Sequence, residues 1–328
     1  MGSGAARAQA NVALAKYWGK RNEALNLPYT GSISITLAGL ETFAQVDFDA
    51  SLQSDSLELN GVAAKQDEAR KLSSFLDLIR RQSGVSRRAR VELRSNFPVA
   101  AGLASSASTF AAFAAAATRA AGMCLTDQEL SALARRGSGS AARSVFGGFV
   151  EWLAGEADDG TDSYATQLAP PEHWDLGIVV AVTAAEPKAV GSREGMARTA
   201  KESPFFPVWL QVHDADLEAV RAAIRVRDLA LLGQAAERNC LAMHAVALTA
   251  RPPLLYWNPG TIAVMQRVWS LREQGVEAYF SIDAGPQVKI LCPMEQRDAV
   301  ADGIRGVAGV QRVLLSQPGS GVQHVEVG

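Results

Sequence analysis

Five short stretches of this 328-residue chain combine small residues, hydroxyls and charged groups at spacings suited to anion chemistry. The run Pro98-Val99-Ala100-Ala101-Gly102-Leu103-Ala104-Ser105-Ser106-Ala107 follows a strand-like segment and opens a helical one. Small residues let backbone N–H groups close on an anion, a helix N-terminus adds positive potential, and paired serines donate further bonds. That makes a phosphate cradle, although taken alone such a run is more often a helix start chosen for tight packing. It is neither a Walker loop nor a dinucleotide fingerprint. In Gly137-Ser138-Gly139-Ser140-Ala141-Ala142-Arg143-Ser144, the arginine stands about one helical turn after Ser140, so hydroxyls and guanidinium can converge on one anion. Alone it is equally a flexible connection; beside the first cradle it reads as a second phosphate site.

Three further stretches add to these. Asn11 to Ala15 is an apolar strand running into Lys16-Tyr17-Trp18-Gly19-Lys20-Arg21, which places cations and polar-tipped aromatics where the chain leaves a sheet. The same residues are also suited to edging a core. Gly191-Ser192-Arg193-Glu194-Gly195-Met196, with Arg198 on the next turn, is another Gly/Ser/Arg helix entrance, or else an N-cap at Ser192 with a solvated Arg193. Finally, Ser281-Ile282-Asp283-Ala284-Gly285-Pro286 puts one carboxylate at the end of an apolar strand. Asp before Ala-Gly-Pro is most often a turn-former, but facing a phosphate site it would orient or deprotonate a hydroxyl.

The elements that must carry these groups read as two α+β halves. Strand-like patterns cover residues 11–15, 33–37, 43–48, 56–59, 90–94, 149–153 and 177–182, with an amphipathic helix over 65–81. Thr126 and Glu129 form a capping box that starts a helix. Helices follow over 194–201, 204–223, 227–247 and 260–274, then strand, Gly-Pro turn, strand, helix and a final strand at 310–315, with a boundary inside 184–192. The acidic segment 155–162 reads as a hairpin tip.

Lys+Arg total 32 against Asp+Glu 34, a net charge of −2, which argues against a general nucleic-acid or anionic-membrane partner. Only seven of the basic residues are lysines, and two of them stand four apart at 16 and 20. Three distant cysteines form no metal or disulfide pattern, and the Ala-rich stretch 97–123 is too interrupted to span a membrane. With no basic-then-apolar leader, the expectation is a soluble cytoplasmic protein.

The run from Pro98 to Ala107 resembles the phosphate loop of the GHMP kinase superfamily. The fuller set, Lys16 to Arg21, Asn96 to Ala107, Gly137 to Ser144, Gly147 to Trp152, Ser192 to Met196 and Asp283 to Pro286, is similar to the diphosphomevalonate decarboxylase family in kind and order. The resemblance implies the GHMP kinase fold: an N-terminal domain (1–187) like ribosomal protein S5 domain 2, a ferredoxin-like C-terminal domain (188–328), and an active site in the cleft between. It implies ATP-dependent decarboxylation of mevalonate 5-diphosphate to isopentenyl diphosphate, with Mg²⁺, by a homodimer. Asp283, Lys16 and Arg143 would be catalytic. Gly102, Leu103, Ala104, Ser105, Ser106 and Ala107 would hold ATP, with Ser106 on Mg²⁺. Tyr17, Trp18, Lys20, Ser138, Gly139, Ser140, Arg143, Ser192, Arg193 and Met196 would bind the substrate. Two segments depart from the family pattern, Tyr29-Thr30-Gly31-Ser32 and Gln287, and leave room for a related decarboxylase or 3-kinase acting on mevalonate 5-phosphate.

Overall fold

The computed structural model describes residues 2–97, 105–186 and 189–326. Two long antiparallel strands, Gly2–Ala15 and Ser32–Asp49, carry the larger sheet, with Gly2 opposite Phe48 and Ala15 opposite Ile33. The Arg88–Ser95 strand pairs with the second half of Ser32–Asp49 and Phe149–Trp152 with its first half. The readings at 33–37 and 43–48 are therefore one strand. Gly39, between them, has φ +79° and lies where the register shifts between Gln9 and Asn11, so it marks a bulge rather than a turn. The segment 155–162 joins the antiparallel pair Phe149–Trp152 and Ala165–Ala169, as a hairpin tip should.

The Ala-rich stretch becomes a buried helix, Ser105–Ala120, laid across the first strand. Small residues on both surfaces allow the close approach: a Cβ on Gly4 would fall 2.3 Å from the Ala116 carbonyl oxygen. Among the described residues no helix is long and apolar enough to cross a membrane. The Thr126–Glu129 capping box is present, with Glu129 N–H donating to Thr126 Oγ1 and Thr126 N–H donating to Glu129 Oε2.

The second sheet runs Tyr279–Ile282, Val288–Pro293, Leu176–Val182, Arg312–Ser316 in spatial order, all antiparallel. Alternation along Leu176–Val182 builds two cores. Val179 and Ala181 face Val264, Phe280 and Ile304. Ile178 and Val180 face Leu217, Val220, Leu232 and Ala236 of the Phe206–Val226 and Leu229–Leu248 helices, together with Leu14 and Ile33 of the first sheet. That second core joins the two halves.

Sheet membership does not follow a division at 187/188, two residues outside the described ones. Leu176–Val182 is an interior strand of the second sheet, and Gln323–Val325 returns to pair with Ala5–Arg7 of the first. Local periodicity marks a strand without naming its neighbours. The expected helix after Ser138 is a 3₁₀ helix, Gly139–Val145, and Gly191 rather than Ser192 occupies the cap position of the Ser192–Glu202 helix.

Candidate active site

Lys16 follows the first strand at the point where a second register shift, between Ala13 and Ala15, re-aims the chain. Its backbone N–H donates to Asn239 Oδ1 at 2.7 Å, and its side chain is 1% exposed. The ammonium has three donors and three acceptors: Ala13 O at 2.8 Å, Ser281 Oγ at 2.6 Å and Asp283 Oδ1 at 2.8 Å. Asn239 is itself fixed, donating to His213 Nδ1 and Asp216 Oδ2.

Asp283 ends the Tyr279–Ile282 strand, and its other oxygen, Oδ2, accepts from Lys289 Nζ at 3.0 Å. Burial pushes the carboxyl up, but Lys16 and Lys289 together outweigh it and hold Asp283 far below the usual carboxylate range. The turn behind it is clamped by Gln287, whose Oε1 accepts from Thr183 N–H and whose Nε2 donates to Ala184 O. The unusual amide thus spans from the turn to the end of Leu176–Val182. Burial pushes His244 down to about 3, with Lys16 assisting, so it is a neutral packed histidine against Trp257.

Arg143 is fully buried in the 3₁₀ helix, donating from Nη1 to Ser32 Oγ and from Nη2 to Asn11 Oδ1 at 3.2 Å. Ser32 belongs to the departing segment 29–32, which thereby supplies a partner for the arginine. Burial lowers Arg143 to about 10, with Asp283 opposing, so it stays charged at neutral pH.

These groups open on a cleft of about 530 Å³ lined from both halves of the chain. One wall carries Lys16, Tyr17, Trp18 and Lys20, another Ser105 and Ser106, a third Ser138, Gly139, Ser140 and Arg143, and a fourth Ser192, Arg193 and Met196, with Asp283 between. The hydroxyls form a short chain: Ser138 Oγ lies 3.2 Å from Ser106 and 3.4 Å from Ser140. Tyr17 Oη, Trp18 Nε1 and Arg143 Nε are buried with no hydrogen-bond partner, which suits groups awaiting a polar ligand. Gly139 has to be glycine, because a Cβ there would sit 2.6 Å from the Tyr17 ring.

One of the expected ATP contacts, Ala107, falls away from the cleft. Gly102, Leu103 and Ala104 lie outside the described residues. Ala107 is fully buried in the N-terminal core and does not line the cleft, since one turn into the helix its side chain faces the packed side. Lys71 and Lys289 were not anticipated. Lys71, on the Gln66–Ser83 helix, lines the cleft 4.7 Å above the Phe110 ring. Burial, reinforced by Arg193, lowers both Lys20 and Lys71 to about 8. The scarcity of lysine was the available signal: Lys16, Lys20 and Lys71 line the cleft and Lys289 grips its carboxylate.

Among the described residues no group of three or more His, Cys, Asp or Glu side chains could hold a metal ion. This donor set fits Mg²⁺ arriving with a nucleotide, because that ion keeps its waters and binds chiefly through phosphates. Ser106, at the cleft, is the side chain placed to assist.

Residues 8–165 match the Diphosphomevalonate decarboxylase-like N-terminal domain, and residues 178–321 the Mevalonate 5-diphosphate decarboxylase C-terminal domain. The chain belongs to the diphosphomevalonate decarboxylase family. The diphosphomevalonate decarboxylase of Ganoderma lucidum is 36% identical over 93% of this chain and 86% of its own. The crystal structure of mevalonate diphosphate decarboxylase from Staphylococcus aureus superimposes with a TM-score of 0.94 at 41% identity, over 99% of this chain and 98% of that one. A structure of MDDEF in complex with MVAPP, AMPPCP and magnesium matches with a TM-score of 0.93 at 40% identity, over 99% of both chains. The mixed α+β fold with N- and C-terminal domains is thus that of solved decarboxylases.

Proposed function

We propose that this protein catalyses the ATP-dependent decarboxylation of mevalonate 5-diphosphate to isopentenyl diphosphate, releasing ADP, phosphate and carbon dioxide. The observation that carries the reading is Asp283, kept as a carboxylate between two buried lysines and open to a cleft walled by hydroxyls and cations. The 3-hydroxyl of mevalonate is a poor leaving group, and phosphorylation makes it a good one. As that phosphate departs, the bond to the carboxylate breaks, its electron pair becomes the new double bond, and carbon dioxide leaves.

Asp283 accepts the hydrogen bond of the 3-hydroxyl and aims its oxygen at the γ-phosphoryl group. A carboxylate held so low is a weak base, so orientation is the role best supported. Lys16, with every donor engaged, bears on the transferred phosphoryl through its charge behind Asp283 rather than by a direct bond. Arg143 contributes a fixed positive charge toward the substrate's anionic groups. Ser105 and Ser106 hold the ATP phosphates, together with backbone N–H groups of Gly102 to Ser106. Mg²⁺, bound with the nucleotide, neutralises part of the phosphate charge. Tyr17, Lys20, Ser138, Gly139, Ser140, Ser192 and Arg193 bind the diphosphate, while Trp18 and Met196 line the carbon skeleton.

The two halves are read as GHMP kinase domains, the N-terminal one like ribosomal protein S5 domain 2 and the C-terminal one ferredoxin-like. The four-stranded antiparallel sheet with the Pro259–Glu273 and Arg297–Arg305 helices on one face supports the latter. A cytoplasmic homodimer is the accompanying proposal, supported by the family resemblance and by three free cysteines.

Substrate length is the point to test. With ATP and Mg²⁺, mevalonate 5-diphosphate should exceed mevalonate 5-phosphate in kcat/KM by about 100-fold, the worth of two charge-assisted hydrogen bonds. Equal values would remove the diphosphate assignment.

A further inference from the structure

Asp283 is gripped by two lysines, one on each carboxylate oxygen, and the reaction as derived uses only the grip of Lys16. Lys289 stands directly opposite Ser281 in the antiparallel pair Tyr279–Ile282 and Val288–Pro293, so both side chains project from one face of the sheet. Ser281 meets Lys16 there, and Lys289 meets Asp283 Oδ2. Lys289 is 1% exposed, does not line the cleft, and holds the carboxylate oxygen that Lys16 does not, whereas Asp283 is 22% exposed. Burying an ammonium is costly, and the same strand position could carry an apolar residue, as Val288 and Ile290 do on either side.

We propose that Lys289 is a positioning residue of the reaction: it pins the carboxylate oxygen of Asp283 that Lys16 leaves free, so that the carboxylate meets the substrate 3-hydroxyl in one orientation. The proposal rests on the decarboxylase reading. With one cation the carboxylate is free to rotate about its last bond and to turn an oxygen away from the cleft; with one cation on each oxygen that rotation breaks a buried ion pair. Lys289 also supplies the charge that lets Lys16 and Asp283 together present a net positive site to the transferred phosphoryl group, since one carboxylate stands between two ammoniums.

Among the described residues, the groups facing Asp283 are Lys16, Lys289, Arg143, Cys240 and His244. Burial holds His244 at about 3 and raises Cys240 to about 11, and Arg143 stays charged to about 10, so none of the three changes charge between pH 5 and 8. Burial also lowers Lys289, with Asp283 opposing that shift. Removing Lys289 leaves Asp283 paired with Lys16, so Lys289→Met is expected to fold.

The test compares wild type and Lys289→Met in kcat and in KM for both ligands. At pH 7 kcat should fall about tenfold or more with both KM values nearly unchanged, the signature of a misplaced reacting group rather than lost binding. An unchanged kcat, or a loss seen only as raised KM for both ligands, would overturn the proposal. The Asp283 carboxyl carbon, followed by NMR in aspartate-labelled protein, gives a readout independent of turnover: its titration should rise by about one pH unit in the variant, the effect of losing one adjacent cation. An unchanged titration would overturn the proposal even if the wild type released no ADP, a result that by itself would instead count against the decarboxylase reading.

Discussion

The cations of the cleft differ in how firmly they hold their charge. Lys20, donating to Asn26 Oδ1 at 2.7 Å, and Lys71 both lie near 8 because burial and then Arg193 disfavour their charged forms. A lysine is charged below its pKa, so the ligand-free cleft loses positive charge as pH rises through about 8, and a bound polyphosphate pulls the protons back. Calorimetry at pH 8 in buffers of different ionisation enthalpy should therefore show proton uptake when inorganic pyrophosphate binds, with affinity weakening from pH 7 to 9. Binding without proton uptake would mean that these lysines do not face the anion. At this scale the sequence was informative wherever small residues, hydroxyls and cations stood together, as at 16–20, 138–143 and 192–193. It was silent on Lys289, because in Gln287-Val288-Lys289-Ile290 the alternation that normally sends a lysine to solvent here sends it under another strand.

Among the elements, the 3₁₀ helix Gly139–Val145 and the residues after the first strand are fitted to each other through Gly139 and Tyr17. Gly139→Ala should push the Tyr17 ring off its place beside Trp152, now 4.7 Å between centroids, and cost about 1–3 kcal/mol by overpacking. Most of that loss should appear as a raised KM for the phosphorylated substrate and a lowered Tm, with KM for ATP little altered; an unchanged Tm and KM would show that the contact yields freely. Elements with their own end signals were legible from sequence, the Thr126 capping box above all. Those defined by a distant partner were not. Gln323–Val325 is short and polar, and only its pairing with Ala5–Arg7 makes it a strand. The bulge at Gly39, which divides one strand into the readings at 33–37 and 43–48, is required by the neighbouring strand, not by its own surroundings.

Taken whole, the molecule is nearly neutral, yet three of its seven lysines line one cleft. A net charge of −2 bears only on extended polyanions; small ones are met by local charge. The core containing Leu14, Ile33, Ile178, Val180 and Leu232 ties the two sheets together and so fixes Lys16 of one half against Asp283 of the other. The sequence indicated both halves but not this joint, because burial between elements far apart in the chain leaves no local periodic trace beyond apolarity. If that joint places phosphorylation and bond cleavage at one centre, the wild-type protein given ATP, Mg²⁺ and mevalonate 5-diphosphate should release carbon dioxide and ADP in equal amounts at all times during initial-rate turnover. Release of ADP with no accompanying carbon dioxide would contradict it.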